Sequence, residues 1–211
     1  MPVFNSNCHL CERLTDYLKS VRSEHPEYYS KPVPSFGDKT ARLLIVGLAP
    51  GLHGANATGR PFTGDYAGIL LYETLHKFGY ASRPKSLHLE DGLKLRNCRI
   101  TNAVKCLPPE NKPTTTEINT CNQYLKAELE ALKSSVVILA LGQIAHKAVL
   151  KALKLKNRDF PFGHGNTYPL HGGRWLVDSY HCSRYNTQTR RLTEKMFHDI
   201  FSNIHELINI T

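Results

Sequence analysis

The chain has 211 residues, enough for one well-buried α/β domain and short for two, so one domain spanning 1–211 is expected. Its 27 Lys and Arg against 18 Asp and Glu give a formal charge of +9, carried at positions such as Lys105, Lys112, Lys147, Lys151, Arg158, Arg184 and Arg190 rather than in one tail. Such a field attracts polyanions, nucleic acid first, with a solvated basic surface as the plainer alternative. No apolar run approaches the ~20 residues of a membrane span, and Met1-Pro2-Val3 opens no signal peptide; a soluble, monomeric, cytoplasmic protein is expected.

In chain order, Cys8-His9-Leu10-Cys11 stands at the mouth of a helix whose Leu10, Leu14, Leu18 and Val21 are spaced to face a core. A Pro- and Ser-containing connector, 30–39, leads to an apolar strand, Leu43 to Val46. The strand breaks into a loop carrying Gly47, Gly51, Gly54, Gly59 and Gly64. Glycines there let backbone approach a ligand closely and take positive φ. Ile69, Leu70, Leu71, Leu75 and Phe78 mark the next helix, ended by Gly79. A second strand fits Cys98 to Val104 and is stopped by Pro108-Pro109. Thr114 and Glu117 then cap a helix through about Lys133.

Val136 to Leu141 is apolar on every side chain, the pattern of a strand covered on both faces. Gly142 turns it into a helix through Ala152. Residues 157–173 resolve no further than a short strand or hairpin. A fourth strand, Arg174 to Ser179, leads to Tyr180-His181-Cys182-Ser183-Arg184-Tyr185-Asn186, and a last helix runs from about Thr189 to Ile208. This alternation predicts a three-layer α/β/α sandwich around a mostly parallel sheet of about four strands with right-handed crossovers. Loops after the first, second and fourth strands would then share one rim, gathering Pro50 to Asp65, Asn102 and His181.

Six cysteines are present. Cys8-x2-Cys11 pairs two thiols on one turn, and Cys106-x14-Cys121 flanks a loop that could fold back onto them. Spacing alone leaves open a four-cysteine zinc site, an iron-sulfur cluster, and free or disulfide-bonded thiols. Cys98, inside a strand, reads as a small core residue.

Several motifs together resemble the uracil-DNA glycosylase superfamily, and within it family 5, the iron-sulfur-containing branch of bacteria and archaea. They are Gly47-Leu48-Ala49-Pro50-Gly51, then His53-Gly54-Ala55-Asn56 with Thr58-Gly59-Arg60-Pro61-Phe62-Thr63-Gly64-Asp65, then Val104-Lys105-Cys106 with Pro108-Pro109 and Asn111-Lys112-Pro113, and finally His181 to Thr187. Family 4, the neighbouring alternative, resembles the chain less: it carries an acidic residue in place of Leu48 and lacks the 53–56 insertion. The chain departs from the pattern at Cys182, where the second motif usually has proline.

The resemblance implies removal of uracil, and of other deaminated bases such as hypoxanthine, from DNA by a monofunctional hydrolase, which places it at the nucleoid. It implies a [4Fe-4S] cluster on Cys8, Cys11, Cys106 and Cys121, with zinc the less favoured occupant. Gly47, Leu48 and Ala49 would line the base pocket. Phe62 offers a face for stacking the flipped base, or a core aromatic. Asn102 offers the donor and acceptor that match uracil N3–H and O4, or a local turn. His181 would stabilise charge developing on uracil O2. Ala49 stands where family 1 enzymes have a water-positioning Asp, so Asn56, Asp65 or loop backbone must orient water, with His53 a further polar candidate. Ser183, Arg184, Tyr185 and Asn186 would meet DNA, Arg184 and Tyr185 filling the gap left by the flipped nucleotide. Two rivals remain from the residues alone. A non-enzymatic metal-stabilised DNA-binding protein fits the charge and the missing acid. A phosphate-binding enzyme fits the glycine loop but lacks both GxxxxGK[ST] and GxGxxG.

Overall fold

The computed structural model describes residues 4–132 and 135–210; Met1-Pro2-Val3 and the expected helix end at Lys133 lie outside the described residues. Six strands form one sheet in the order β1-β3-β2-β4-β6-β5. They are β1 (Phe36–Gly37), β2 (Leu43–Gly47), β3 (Cys98–Asn102), β4 (Val137–Leu141), β5 (Thr167–Leu170) and β6 (Arg174–Ser179). The inner four are parallel, and they are the four strands expected from sequence. The sheet has six strands rather than four because two short antiparallel edges, β1 and β5, flank them. Neither edge has a hydrophobic signature: β1 is two residues long, and β5 carries Pro169, which an edge tolerates because one side of it needs no ladder donor.

The inner strands, fully apolar in β2 and β4, split their apolar side chains between two helical layers. Leu43, Ile45, Ile100, Leu139 and Val177 pack with Leu71 and Leu75 of α3 (Tyr66–Lys77) and with Phe197, Phe201 and Ile204 of α7 (Glu194–Ile210). Leu44, Val46, Ile138, Ala140 and Leu176 pack with Leu125 and Leu129 of α4 (Thr115–Ala131) and with Ala145, Ala148 and Val149 of α5 (Gln143–Ala152). The helix α4 opens on a complete capping box, Thr114 accepting from Glu117 N–H while the Glu117 carboxylate accepts from Thr114 N–H, as the sequence indicates.

A third cluster joins Leu14, Leu18 and Val21 of α1 (Glu12–Glu24) to Val104, Leu107 and Tyr124. Leu10, expected in that core, is instead 60% exposed, because the helix begins only after Cys11. Within the glycine-rich loop Ala55–Thr58 forms a short helix, α2. The last helix, α7, begins at Glu194 rather than at about Thr189, and a short helix the sequence did not predict, α6 (Arg184–Gln188), precedes it, separated where Arg190 takes φ +57°. Leu192 therefore packs in the core from the connection rather than from the helix. No helix among the described residues is long and apolar enough to cross a membrane.

Candidate active site

Parallel register places Gly47 directly beside Asn102 at the ends of β2 and β3, and the loops leaving that rim enclose a cleft of about 430 Å³. Leu48, Ala49, Gly51, Phe62, Asp65, Asn102, His181, Ser183 and Arg184 line it, together with Tyr66 and Asn111. The volume is that of a small-molecule site. Strand-end loops from three separate stretches thus converge where an open α/β sheet collects its ligand.

Asn102 is 3% exposed, and its Oδ1 is buried without a hydrogen-bond partner. A buried amide oxygen left unpaired costs roughly 1–3 kcal/mol; among the described residues Asn56 Oδ1 and Arg60 Nε are in the same position, but only Asn102 lines the cleft. A β-carbon on Gly47 would stand 2.4 Å from that oxygen and 2.7 Å from the Phe62 ring, so Gly47 makes room for the site's own side chains. Only Gly59 and Gly64 of the five loop glycines take positive φ. The expectation of positive φ at all five is thus corrected: the other three, Gly47, Gly51 and Gly54, clear space for Asn102, Phe62 and Asp65.

Phe62 is buried with φ +57°, and its ring lies near-parallel to His181 at 5.9 Å between centroids. His181 follows β6 and is held from behind: Asn186 Nδ2–H donates to its carbonyl at 2.8 Å, and Ser183 caps α6 by accepting from Asn186 N–H. Burial pushes the imidazole down to about 4, so near neutral pH it is an uncharged donor. Cys182 is fully buried in the core; in place of proline's ring, these Ser183 and Asn186 bonds fix the loop. Arg184 sits over the Tyr66 ring at 5.9 Å, and Tyr185 is 70% exposed.

The two carboxamide and carboxylate candidates for water separate cleanly. Asn56 is fully buried and faces Ser30, its Nδ2 3.5 Å from Ser30 Oγ, and it does not line the cleft. Asp65 does line it. As N-cap of α3 its carboxylate would ordinarily accept from the helix N-terminus, yet it makes no such bond; it turns back to the loop and accepts from Ala55 N–H at 3.4 Å. Forgoing a cap costs about 0.5–2 kcal/mol. Burial raises its pKa above the usual carboxylate range, against the lowering influence of Ala55 N–H and His53. His53 itself is bonded to the Tyr28 hydroxyl at 2.8 Å.

Lys105 does not reach the cleft. It is buried, bonded to Glu128 at 3.3 Å, to Ser35 at 3.1 Å and to Thr101. The sequence pattern gave no sign of Tyr66, or of Asp91, which grips Arg60 from a loop 31 residues away; nothing local marks either.

Around the segment that leaves β3, Cys8, Cys11, Cys106 and Cys121 line a single cavity. Burial pushes Cys106 far up, with the other three thiols adding to it. It pushes Cys121 up to about 11 despite the Lys105 backbone N–H and charge. Cys98 lies in the other layer of the core, as expected. Among the described residues no three His, Cys, Asp or Glu side chains are grouped to hold one metal ion.

A family model described as the uracil DNA glycosylase superfamily matches residues 34–205, most of the chain and all of the cleft. The Type-5 uracil-DNA glycosylase of Thermus thermophilus is 47% identical over 208 residues, 96% of this chain and 94% of that protein. Its Pyrobaculum aerophilum counterpart is 43% identical over 191 residues, 89% and 83% of the two chains. A Type-4 uracil-DNA glycosylase from Archaeoglobus fulgidus is 31% identical over 176 residues, 80% and 79%. The chain belongs to the uracil-DNA glycosylase superfamily and, within it, to the type-5 branch.

Proposed function

We propose that this protein hydrolyses the N-glycosidic bond of uracil in DNA and leaves an abasic site. The observation that carries the reading is the unpaired, buried Asn102 Oδ1 beside Phe62 and His181 in one cleft. A flipped uracil stacked on Phe62 presents N3–H to that oxygen and O4 to the amide nitrogen. Neutral His181 donates to O2 as the bond to the sugar lengthens and charge gathers on the base. Asp65 takes the two tasks left open by Ala49: it orients water and faces the oxocarbenium-like sugar with negative charge. Asn56 then supports the loop rather than the water. Arg184, Tyr185 and Ser183 meet DNA around the gap, and the cleft's volume extends the substrate class to other deaminated bases such as hypoxanthine.

The four thiols fit a [4Fe-4S] cluster better than a single zinc ion. Two of the thiols, Cys106 and Cys121, are buried and Cys8 and Cys11 half-buried; as thiolates the four need cationic compensation, and a cluster spreads its ligands over four iron atoms whereas zinc draws four sulfurs to one centre. When bound, such a cluster supplies a structural tie and no redox step, since hydrolysis moves no electron. Cys8 and Cys11 would then bolt the N-terminal segment to the 104–121 region beside the DNA face.

The test is a panel of duplexes carrying uracil, hypoxanthine or normal bases, incubated with purified protein and cleaved with alkali at abasic sites. Uracil strands should break and undamaged ones stay intact. Binding to all duplexes with no alkali-labile site would replace the enzyme by a metal-stabilised DNA-binding protein.

A further inference from the structure

Phe62 holds a left-handed backbone, φ +57°, a conformation that a bulky residue keeps only when its surroundings over-determine it. Both of its flanks are pinned to one loop. Arg60, 2% exposed, sends Nη1–H to both carboxylate oxygens of Asp91 and to Ser86 Oγ, each at 2.9 Å, and Nη2–H to Leu89 O at 2.6 Å. Its guanidinium also lies 4.5 Å above the Phe36 ring. On the other flank the Thr63 hydroxyl is 2.6 Å from the same Ser86 hydroxyl. Between them the Tyr72 hydroxyl donates to Pro61 O at 2.8 Å. Gly68 leaves room for the Phe62 carbonyl, which would stand 1.8 Å from a β-carbon there.

Asp91 is itself immobilised. It accepts from Leu87 N–H at 2.8 Å and from Leu93 N–H at 2.9 Å, so the carboxylate is fixed by its own loop before it meets Arg60. Nη1 meets both carboxylate oxygens while Nη2 is bonded to a backbone carbonyl, so the planar guanidinium is fixed in position as well as paired in charge. The loop contributes no residue to the base-reading set, yet three of its groups determine where Phe62 points.

We propose that Asp91 is a positioning residue for base recognition: through Arg60, with Ser86 as a second tie, it locks Phe62 in the left-handed conformation that presents its ring to the flipped base. This rests on the reading that Phe62 stacks the base. The ring's orientation is then set from a loop outside the cleft, and weakening the lock costs base stacking without touching the phosphate contacts.

The experiment is a double-mutant cycle in single-turnover uracil excision, with affinity for an abasic-site analogue measured alongside. Phe62→Ala and Asp91→Asn should each slow excision by about tenfold, the scale of one base-aromatic stack. Affinity for the abasic analogue should stay within about twofold, and the double variant should be no slower than Phe62→Ala alone. A merely structural role would give multiplying losses and weaker abasic-site binding in parallel, and either overturns the proposal. If Asp91→Asn does not fold, Ser86→Ala enters the same cycle with the same expectations. Phe62→Ala at the wild-type rate removes the stacking reading and the lock together, whereas a slow Phe62→Ala beside a normal Asp91→Asn removes the lock alone.

Discussion

A β-carbon on Gly54 would stand 1.9 Å from the carboxyl carbon of Asp65, so the Asp65 side chain fills the space any other residue at 54 would occupy. Gly51 is the second wall of that niche, its β-carbon position 2.7 Å from Asp65 Oδ1. Gly54→Ala therefore evicts the carboxylate from the cleft while leaving every base-reading residue in place. Single-turnover excision should fall by about 10²-fold, the usual contribution of a positioned general base, and by the same factor as in Asp65→Ala. A Gly54→Ala enzyme at nearly full rate would remove Asp65 from the mechanism.

The pH dependence follows from two groups displaced in opposite senses. Burial holds His181 down at about 4, so it stays neutral through the physiological range and contributes no limb at the ordinary histidine value of ~6.5. Burial raises Asp65 above the usual carboxylate range, and the reaction needs it ionised. The single-turnover rate should be flat at neutral pH and fall as pH drops through the raised Asp65 value. Asp65→Asn should be slow and lack that limb. An acid limb that persists in Asp65→Asn belongs to another group.

How much of this was legible in the sequence depends on the range of the interaction. The four inner strands and the helices that cover them are local apolar patterns, and they stand where the pattern puts them except at the start of α7, which comes at Glu194 rather than about Thr189. The edges β1 and β5 are too short and too mixed in character to carry a pattern. Asn102 and His181 are legible as polar side chains at strand ends and Phe62 as the aromatic of the glycine-rich motif, all three marked by the family resemblance, and the shared rim of the parallel strands brings them to one cleft. What sequence could not show is which of Asn56 and Asp65 faces the cleft. That choice turns on whether a side chain points to Ser30 or into the niche left by Gly51 and Gly54. The Arg60–Asp91 pair is a contact between loops and has no sequence period at all.

The cysteine cavity gives a prediction visible to the eye. Anaerobically purified protein should be brown, with a broad absorption near ~400 nm from thiolate-to-iron charge transfer that fades on oxidation. Cys106→Ser should lose the colour and lower the melting temperature, because the site ties residues near 8 to those near 121 and metal binding then contributes folding energy. Stoichiometric zinc with no iron or sulfide would overturn the cluster.

Lys105 belongs to one of the rim motifs, and its surroundings speak against an imine mechanism. Burial would raise Glu128, but Lys105 first, then Ser35, Thr101 and Arg99, pull it down to about 2. The pair is thus an ion pair under β3, and among the described residues no lysine lines the cleft. Borohydride added during turnover should trap no covalent protein–DNA adduct. An adduct that disappears in Lys105→Ala would require both a lyase step and a large movement of this buried side chain.

His181 bears the heaviest part of the chemistry if the charge that develops on the base is what must be stabilised. Neutral, it keeps one ring N–H to donate and brings no positive charge into the cleft before charge develops on the base. Its backbone is held by Asn186 and its ring by Phe62, which makes the donor preorganised rather than recruited. Removing one such donor costs ~10²–10³ in rate, or roughly 3–4 kcal/mol. His181→Ala should lose about that factor in single-turnover excision of uracil and keep its affinity for an abasic-site analogue within a few-fold, since the phosphate contacts are untouched. Asn102→Ala should differ in kind: it removes the group that reads N3 and O4, so uracil should suffer more than hypoxanthine, which presents a different edge. Asn186→Ala tests the support behind the ring, and should slow excision less than His181→Ala because the imidazole remains and only its carbonyl anchor is lost. If His181→Ala excises uracil at the wild-type rate, leaving-group stabilisation is not the source of catalysis, and Asp65 must carry the barrier alone.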